Sequence, residues 1–146
     1  RAVRYAPKGM RGVAGMTRAT RYGTVDDYFN KASDEICLLV QVETRIALDR
    51  LEEIAGTEGV DGVFIGPADL SASLGFPGQP NHPEVVAAIE DAFARLKKIG
   101  VPSGILTLNE AFAKRCVELG TAFTAVGVDL VIMAEGARAL RDRFTG

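Results

Sequence analysis

Apolar residues recur along this chain in four short runs, each bounded by glycine, proline or polar residues. A short apolar run with little polar alternation is typical of a strand that is buried on both faces, as in a parallel sheet. We therefore predict four buried strands. They fall in residues 36–43 (ICLLVQVE), 61–66 (DGVFIG), 102–107 (PSGILT) and 122–129 (AFTAVGVD).

Between and after these runs, apolar residues return every three or four positions, which is typical of amphipathic helices. In the first such stretch Thr44 is a candidate N-cap and Gly56 a stop. The second begins at Pro83, a residue favoured at the first helical position, and its last turns are basic, which complements the helix dipole. The four helices are predicted within residues 44–56, 83–100, 108–120 and 130–144.

Three segments lie outside this alternation. Residues 1–24 combine several glycines and arginines with no sustained period, which predicts an extended surface loop. Residues 25–35 predict a short helix, and residues 67–82, rich in glycine and proline, predict a loop after the second strand. We therefore divide the chain into a loop over 1–24 and four βα units over 25–146.

The order of these elements predicts a parallel sheet with right-handed crossovers, which either a doubly wound sheet or a barrel would satisfy. The glycine-rich phosphate-binding motifs of many doubly wound sheets do not occur in the sequence. A barrel instead collects polar residues at the carboxyl ends of its strands. Here the residues at or just after those ends are Gln41, Glu43, Asp69, Thr107 and Asp129.

The polar residues at these strand ends favour an α/β fold of the (β/α)₈ TIM barrel type. A complete barrel needs at least about 200 residues. The 146 residues of this chain therefore fit about four of the eight βα units.

Composition narrows the function classes without selecting one. With 47% hydrophobic and 25% charged residues, the chain is neither disordered nor of low complexity. Its 17 basic and 19 acidic residues give a net charge of -2 without a clustered basic face, so nucleic acid is not an expected partner. No apolar run approaches the roughly 20 residues of a membrane span. We therefore expect a cytoplasmic protein without membrane contact.

The two cysteines are too few for a disulfide framework or a zinc knuckle. Cys37 lies within the first apolar run, and Cys116 lies within a helical pattern. We predict that both are buried core thiols.

Glu43 and Asp69 are the residues whose positions favour chemistry. Each follows a predicted buried strand, and neighbouring strands bring their ends to within about 5 Å of each other. Two carboxylates that converge there provide hard oxygen ligands for a divalent cation such as Mg²⁺ or Mn²⁺. The alternative is that each carboxylate caps a helix or joins a salt bridge, which is the commoner role of a single acid at a strand end.

Longer motifs surround these carboxylates. VQVET at 40–44, VDGVFIGPADLSASLG at 60–75 and YAPKGMRGV at 5–13 resemble the HpcH/HpaI family of class II, metal-dependent aldolases. The resemblance continues through HPEV at 82–85, GIL at 104–106 and AVGVD at 125–129, so it covers nearly the whole chain. The family is a (β/α)₈ barrel, and the resemblance implies that the chain is the C-terminal part of a single barrel of this type.

The resemblance implies a carbon-carbon lyase that forms or cleaves 4-hydroxy-2-oxo acids, through a metal-stabilised pyruvate enolate that reacts with an aldehyde. It implies that Glu43 and Asp69 hold Mg²⁺, Mn²⁺ or Co²⁺ and that Gln41 points into the substrate pocket. The backbone N–H groups of Ala68 and Asp69 would hold the pyruvate carboxylate, since a Gly-Pro turn into a helix-like segment exposes unpaired N–H groups. Leu106 would form the apolar wall beside the pyruvate methyl group, or else serve as a core leucine.

The resemblance leaves the catalytic base unassigned. In this family a histidine and an arginine come from the N-terminal half of the barrel, and we expect residues outside this sequence, or a second chain, to supply that half. The single histidine, His82, precedes Pro83 and is interpreted as a helix cap or loop residue. Arg11 is interpreted as solvated or interfacial rather than as a contact of an anionic substrate. Asp129 is interpreted as a cap of the last helix rather than as a further acid of the pocket.

Other interpretations stay open. The chain could be a non-catalytic half-barrel module that binds metal or a 2-oxo acid, or part of a related acyl-CoA lyase. The resemblance also implies a homo-oligomer, with the hexamer as the family's assembly. The aldehyde partner is not encoded in the matched motifs, because loops outside them normally select it.

Overall fold

The computed structural model describes residues 1–145, in which the chain forms four strands and seven helices. The strands are β1 (Leu39–Val42), β2 (Gly62–Ile65), β3 (Ser103–Leu106) and β4 (Phe123–Ala125). The helices are α1 (Tyr28–Glu35), α2 (Arg45–Asp49), α3 (Leu51–Ala55), α4 (Pro67–Ser73), α5 (Pro83–Lys98), α6 (Glu110–Leu119) and α7 (Asp129–Thr145). The chain divides into two compact units, Arg1–Leu38 and Leu39–Gly146.

The first unit consists of turns followed by α1. Its central turn is organised by the buried hydroxyl of Thr20, which accepts hydrogen bonds from the backbone N–H groups of Thr17 and Gly23. The same hydroxyl donates to the carbonyl oxygen of Gly15 over 2.6 Å. These side-chain hydrogen bonds hold the turn in a segment that has no regular backbone hydrogen bonding of its own. The loop predicted for the start of the chain and the short helix after it agree with the structure.

In the second unit the four strands pair in parallel in the order β1-β2-β3-β4. Right-handed crossovers between successive strands in this order place all their helices on one face of the sheet. A doubly wound sheet would instead reverse its order and carry helices on both faces. The topology therefore agrees with four consecutive βα units of a barrel.

One face of the sheet packs on the helices. Val42, Ile65, Ile105 and Thr124 are register neighbours across the four strands on this face. The three aliphatic side chains among them have no exposed surface. They join a hydrophobic core to which α5 contributes more buried residues than any other helix. The buried residues of α5 lie on one side of the helix, mostly three or four positions apart. That side consists of Val85, Ile89, Ala92, Phe93 and Leu96.

The opposite face carries a different row of register neighbours, Gln41, Phe64, Gly104 and Phe123. Gln41 is exposed, and Phe123 keeps 38% of its accessible surface. The rings of Phe64 and Phe123 stack with centroids 5.7 Å apart. A Cβ added at Gly104, which lies between them in the register, would be 2.1 Å from the Phe123 ring. The stacked pair therefore requires glycine at this position.

Arg95 links α5 to the short helices that follow β1. Its Nε and Nη2 atoms donate to the two carboxylate oxygens of Glu52 over 2.7 and 2.5 Å, and Nη2 also donates to the carbonyl of Leu48. The hydrogen bonds from Arg95 lower the pKa of Glu52 to about 2. This contact holds α3 against α5.

Two boundaries differ from the prediction. The helix predicted over 44–56 is divided into α2 and α3 at Arg50, whose N–H donates to the carbonyl of Ala47, only three residues back, so that the helix tightens into a turn there. The predicted loop over 67–82 contains α4, because Pro67 occupies the first helical position and Leu70 is fully buried beneath the helix. Flanking glycines and prolines obscured this helix in the sequence.

The prediction for Cys37 is wrong, since its side chain is exposed. The residue precedes β1, which begins two positions later, so the apolar run starts before the sheet does. Cys116 is buried as predicted, and burial raises the pKa of its thiol to about 11.

The last helix, α7, has no buried residue in its described part. Leu130, Ile132 and Met133 are about two-thirds exposed. None of the helices within residues 1–145 has both the length and the apolar composition of a membrane span.

Candidate functional site

A cavity of about 410 Å³ lies where β1, β2 and β3 end. Its wall includes Gln41, Ala68, Asp69 and Leu106, which are the four residues predicted to bind substrate. Strand pairing brings these residues together although they are far apart in the sequence. Their roles stay predictions, and their convergence is a property of the fold. A larger depression of about 760 Å³ along α6 and β4 includes none of the four.

Glu43 is joined to this wall through Gln41. The Gln41 Nε2 atom donates to the Glu43 Oε2 atom over 2.5 Å. Both side chains lie against Gly66, where an added Cβ would be 2.6 Å from Gln41 Nε2 and 2.9 Å from the Glu43 Cβ. Gly66 therefore leaves the space in which the pair forms.

Asp69 is positioned by α4, which begins directly after β2. Gly66 is the N-cap in extended backbone, and Pro67 is preorganised for the first helical position. Leu70 anchors the helix in the core, whereas Asp69 is exposed at the cavity. The N–H groups of Ala68 and Asp69 belong to the first turn, where a helix offers them no internal acceptor.

Three further polar residues line the cavity: Asn81, Thr107 and Asn109. The Thr107 Oγ1 atom accepts a hydrogen bond from the Asn109 N–H over 3.3 Å. The Asn109 Oδ1 atom accepts from the Phe112 N–H over 3.1 Å and so caps α6. Sequence reasoning did not place Asn81 or Asn109 at the site. An asparagine directly before a helical pattern is an N-cap signal that would have located Asn109.

His82 holds the loop between α4 and α5. Its Nδ1 atom accepts a hydrogen bond from the Glu84 N–H over 3.4 Å. Its ring stacks on Phe76 with centroids 3.7 Å apart. The prediction that His82 is a helix cap is confirmed.

Sequence comparison decides the family. The sequence model of the HpcH/HpaI aldolase/citrate lyase family matches residues 1–135. The chain belongs to this family. A pyruvate aldolase of Rhizobium etli is 66% identical over 143 residues, which are 98% of this chain and 56% of that protein. A 4-hydroxy-2-oxo-heptane-1,7-dioate aldolase of Klebsiella pneumoniae is 56% identical over 146 residues, 99% of this chain and 55% of that protein.

The HpcH/HpaI assignment extends to solved structures. A HpcH/HpaI aldolase/citrate lyase family protein from Burkholderia cenocepacia matches with a TM-score of 0.85 and 37% sequence identity. The match covers 99% of this chain and 58% of that chain. The chain thus spans about half the length of the relatives it matches, in agreement with a partial barrel of four βα units.

The site's donor chemistry fits the divalent cation that membership of the HpcH/HpaI family implies. Glu43 and Asp69 supply carboxylate oxygens, which are the ligands preferred by Mg²⁺ and Mn²⁺. Within residues 1–145 the Oε1 atom of Glu43 makes no hydrogen bond, so it is available as a ligand. In the same residues no three His, Cys, Asp or Glu side chains form a metal-binding group. A site built on these two carboxylates would leave coordination positions for water and substrate.

Two predictions concern residues away from the cavity wall. The Arg11 guanidinium lies over the Tyr5 ring, 4.7 Å from its centroid, and its Nη2 atom is 3.3 Å from the Tyr28 hydroxyl. Arg11 is therefore partly buried within the first unit rather than freely solvated, and its interpretation as interfacial stays a prediction. The Asp129 carboxylate accepts a hydrogen bond from the Leu130 N–H over 2.8 Å, which agrees with a cap at the start of α7.

Proposed function

We propose that this chain is the site-bearing half of a divalent-metal-dependent lyase that forms or cleaves 4-hydroxy-2-oxo acids, with pyruvate as the nucleophilic partner and an aldehyde as the other. The observation that carries the proposal is that Gln41, Ala68, Asp69 and Leu106 line one cavity together, with Glu43 hydrogen-bonded to its wall. Family relatives named pyruvate aldolase and 4-hydroxy-2-oxo-heptane-1,7-dioate aldolase support it.

The proposed reaction is reversible, and every bond and proton is accounted for in both directions. A base removes a proton from the pyruvate methyl group, and the resulting carbon nucleophile forms a bond to the aldehyde carbon. The aldehyde oxygen then takes up a proton, and cleavage is the reverse sequence. When bound, Mg²⁺, Mn²⁺ or Co²⁺ supplies positive charge where negative charge develops on the keto oxygen.

The described residues have separate tasks in this proposal. Glu43 and Asp69 would hold the cation, and the hydrogen bond from Gln41 to the Glu43 carboxylate would restrict the orientation of that ligand. The N–H groups of Ala68 and Asp69 would receive the pyruvate carboxylate. Leu106 would exclude water beside the methyl group, because its aliphatic side chain lines the same cavity.

The test is exchange of the pyruvate methyl protons in deuterated water, followed by NMR in the complete gene product that contains this sequence. Without aldehyde present, we expect exchange with added Mn²⁺, loss of exchange with a chelator, and recovery when Mn²⁺ is restored. Glu43→Gln and Asp69→Asn should each slow exchange on the order of 100-fold, since each removes a charged ligand.

Asp49→Asn is the matched control, because Asp49 is an exposed carboxylate of α2 that does not line the cavity. It should leave exchange unchanged. Absence of exchange in the metal-loaded wild-type protein would contradict the lyase proposal and favour a module that binds metal or a 2-oxo acid without catalysis. The homo-oligomer, the hexamer and the cytoplasmic location stay predictions.

A further inference from the structure

We propose that Ser73 is a positioning residue for the metal site. Its hydroxyl ties the segment that contains Asp69 to the segment that contains Glu43, and so restrains the spacing of the two carboxylates. This inference rests on the function proposed above, in which these carboxylates hold the divalent cation. It extends that function to a residue that does not line the cavity.

The hydrogen bond behind this inference joins α2 to α4 across 28 residues of the chain. The N–H of Arg45, the first residue of α2, donates to the Oγ atom of Ser73, the last residue of α4, over 2.9 Å. An N–H group in the first turn of a helix has no acceptor within that helix. The N-cap hydroxyl of Thr44 accepts from the N–H of Ala47. Ser73 therefore supplies an acceptor from outside α2.

Two hydrogen bonds lie on either side of the carboxylates along the chain. Before them, where β1 and β2 end, the Gly66 N–H donates to the Val42 carbonyl over 3.1 Å. Beyond them is the bond to Ser73. Glu43 lies between the bonded positions 42 and 45 of its segment, and Asp69 lies between positions 66 and 73 of the other. The strand pairing restrains the two segments up to their carboxylates, and the bond to Ser73 restrains them again beyond.

The position of Asp69 depends strongly on its backbone. The Glu43 carboxylate is also restrained by its hydrogen bond from Gln41. Within residues 1–145 the Asp69 carboxylate has no such bond, so it is placed by the point at which α4 is held. Mg²⁺ requires near-ideal octahedral geometry, and contacts outside the ligands commonly change metal affinity. Loss of the bond to Ser73 should therefore weaken binding of the cation.

The test measures binding of Mn²⁺ by titration calorimetry in the complete gene product, without pyruvate or aldehyde. Ser73→Ala removes the acceptor and should raise the Kd of Mn²⁺ about three- to tenfold, the effect of one hydrogen bond. Ser73→Thr keeps a hydroxyl at this position and should restore the affinity. In pyruvate proton exchange, Ser73→Ala should need more Mn²⁺ for half-maximal exchange by the same factor, but should reach nearly the wild-type rate at saturating Mn²⁺.

Thr57→Ala is the matched control. The Thr57 hydroxyl donates to the Glu53 carbonyl over 3.1 Å, which is also an exposed hydrogen bond to the backbone, and Thr57 does not line the cavity. This variant should bind Mn²⁺ like the wild type. Chemical denaturation of the metal-free proteins measures the stability that each variant loses, separately from its metal affinity.

Two results would overturn the positioning role and leave Ser73 as a cap of α2. One is wild-type Mn²⁺ affinity in Ser73→Ala, whatever its stability. The other is a Kd for Ser73→Thr as high as that of Ser73→Ala. Wild-type Mn²⁺ affinity in both Glu43→Gln and Asp69→Asn would instead overturn the metal site of the proposed function, and this inference with it.

Discussion

The two faces of the sheet are built from alternate residues of the same strands, yet they differ in nearly every property. On the helix side Val42 and Ile65 are neighbours with no exposed surface. On the other side Gln41 and Phe64 are neighbours that line a cavity. One residue along the strand therefore separates a position that contributes to stability from a position available for chemistry.

The difference shows how a parallel sheet divides its tasks. Side chains alternate between the faces with a period of two, so each face can be specified independently. The helix side is filled mainly by buried aliphatic residues, whose packing depends on volume. The other side carries an amide, two aromatic rings and glycines, whose positions depend on specific contacts. Substitutions on the two faces should therefore have different consequences.

The largest expected effect is on the helix side. Ile65→Ala should lower the free energy of unfolding by about 2–5 kcal/mol, because it removes buried methyl groups and leaves a cavity. Chemical denaturation checks this value. Ile46→Ala is the matched control, since Ile46 is 73% exposed and its truncation should cost far less. Similar losses for both variants would contradict the proposed location of the core.

The next effect is expected at the junction of strand and site. Gly66→Ala places a Cβ 2.9 Å from the Cβ of Glu43, and such overpacking costs about 1–3 kcal/mol. Because the added methyl group also displaces Gln41, pyruvate proton exchange should fall with stability. Gly136→Ala is the control, since a Cβ there meets no atom within 4 Å. Normal exchange in Gly66→Ala would argue against a role for the Gln41–Glu43 pair.

A smaller effect is expected on the open face. Gly104→Ala should displace the Phe123 ring and lose its stacking on Phe64, a contact that contributes about 0.5–1.5 kcal/mol. A double-mutant cycle with Phe123→Ala tests the cause. The loss caused by Gly104→Ala should shrink when the Phe123 ring is absent. Equal losses in both backgrounds would assign the effect to the backbone of β3 instead.

The smallest effect concerns an exposed contact on the helix side and depends on pH. The folded-state pKa of Glu52 is lowered from 4.5 to about 2. Its bond to Arg95 therefore stabilises the protein fully above about pH 4.5 and loses this contribution as the pH falls toward 2. Glu52→Gln should reduce the acid sensitivity of unfolding across that window. Glu110→Gln, in the exposed pair with Lys114, is the control. An unchanged acid transition in Glu52→Gln would contradict this role.

Much of the fold follows from local sequence signals. The four strands, their parallel order and α5 with its proline start agree with the prediction, because apolar runs and helix caps are local features. The helix after β2 was missed because its seven residues lie between glycines and prolines, where burial of Leu70 outweighs loop composition. The exposure of Cys37 was missed because an apolar run does not show where the sheet begins.

The site was predictable in part. Glu43 and Asp69 stand at strand ends within long motifs, so the sequence could identify them as candidates. Asn81 lies in a loop with no regular period, and only the folded chain brings it to the same cavity as Asp69. The hydrogen bond between Gln41 and Glu43 is likewise invisible in the sequence, because it depends on the space left by Gly66.

The order of strands in the sheet also bears on how the chain is made. Each of β2, β3 and β4 pairs with the strand that was synthesised just before it. None of these described strands has to insert between two others, so every new pairing closes only the loop that contains the intervening helix. The four units can therefore assemble one after another as the chain leaves the ribosome, with the free edge left first by β1, then by β2 and then by β3 covered by the next strand to emerge.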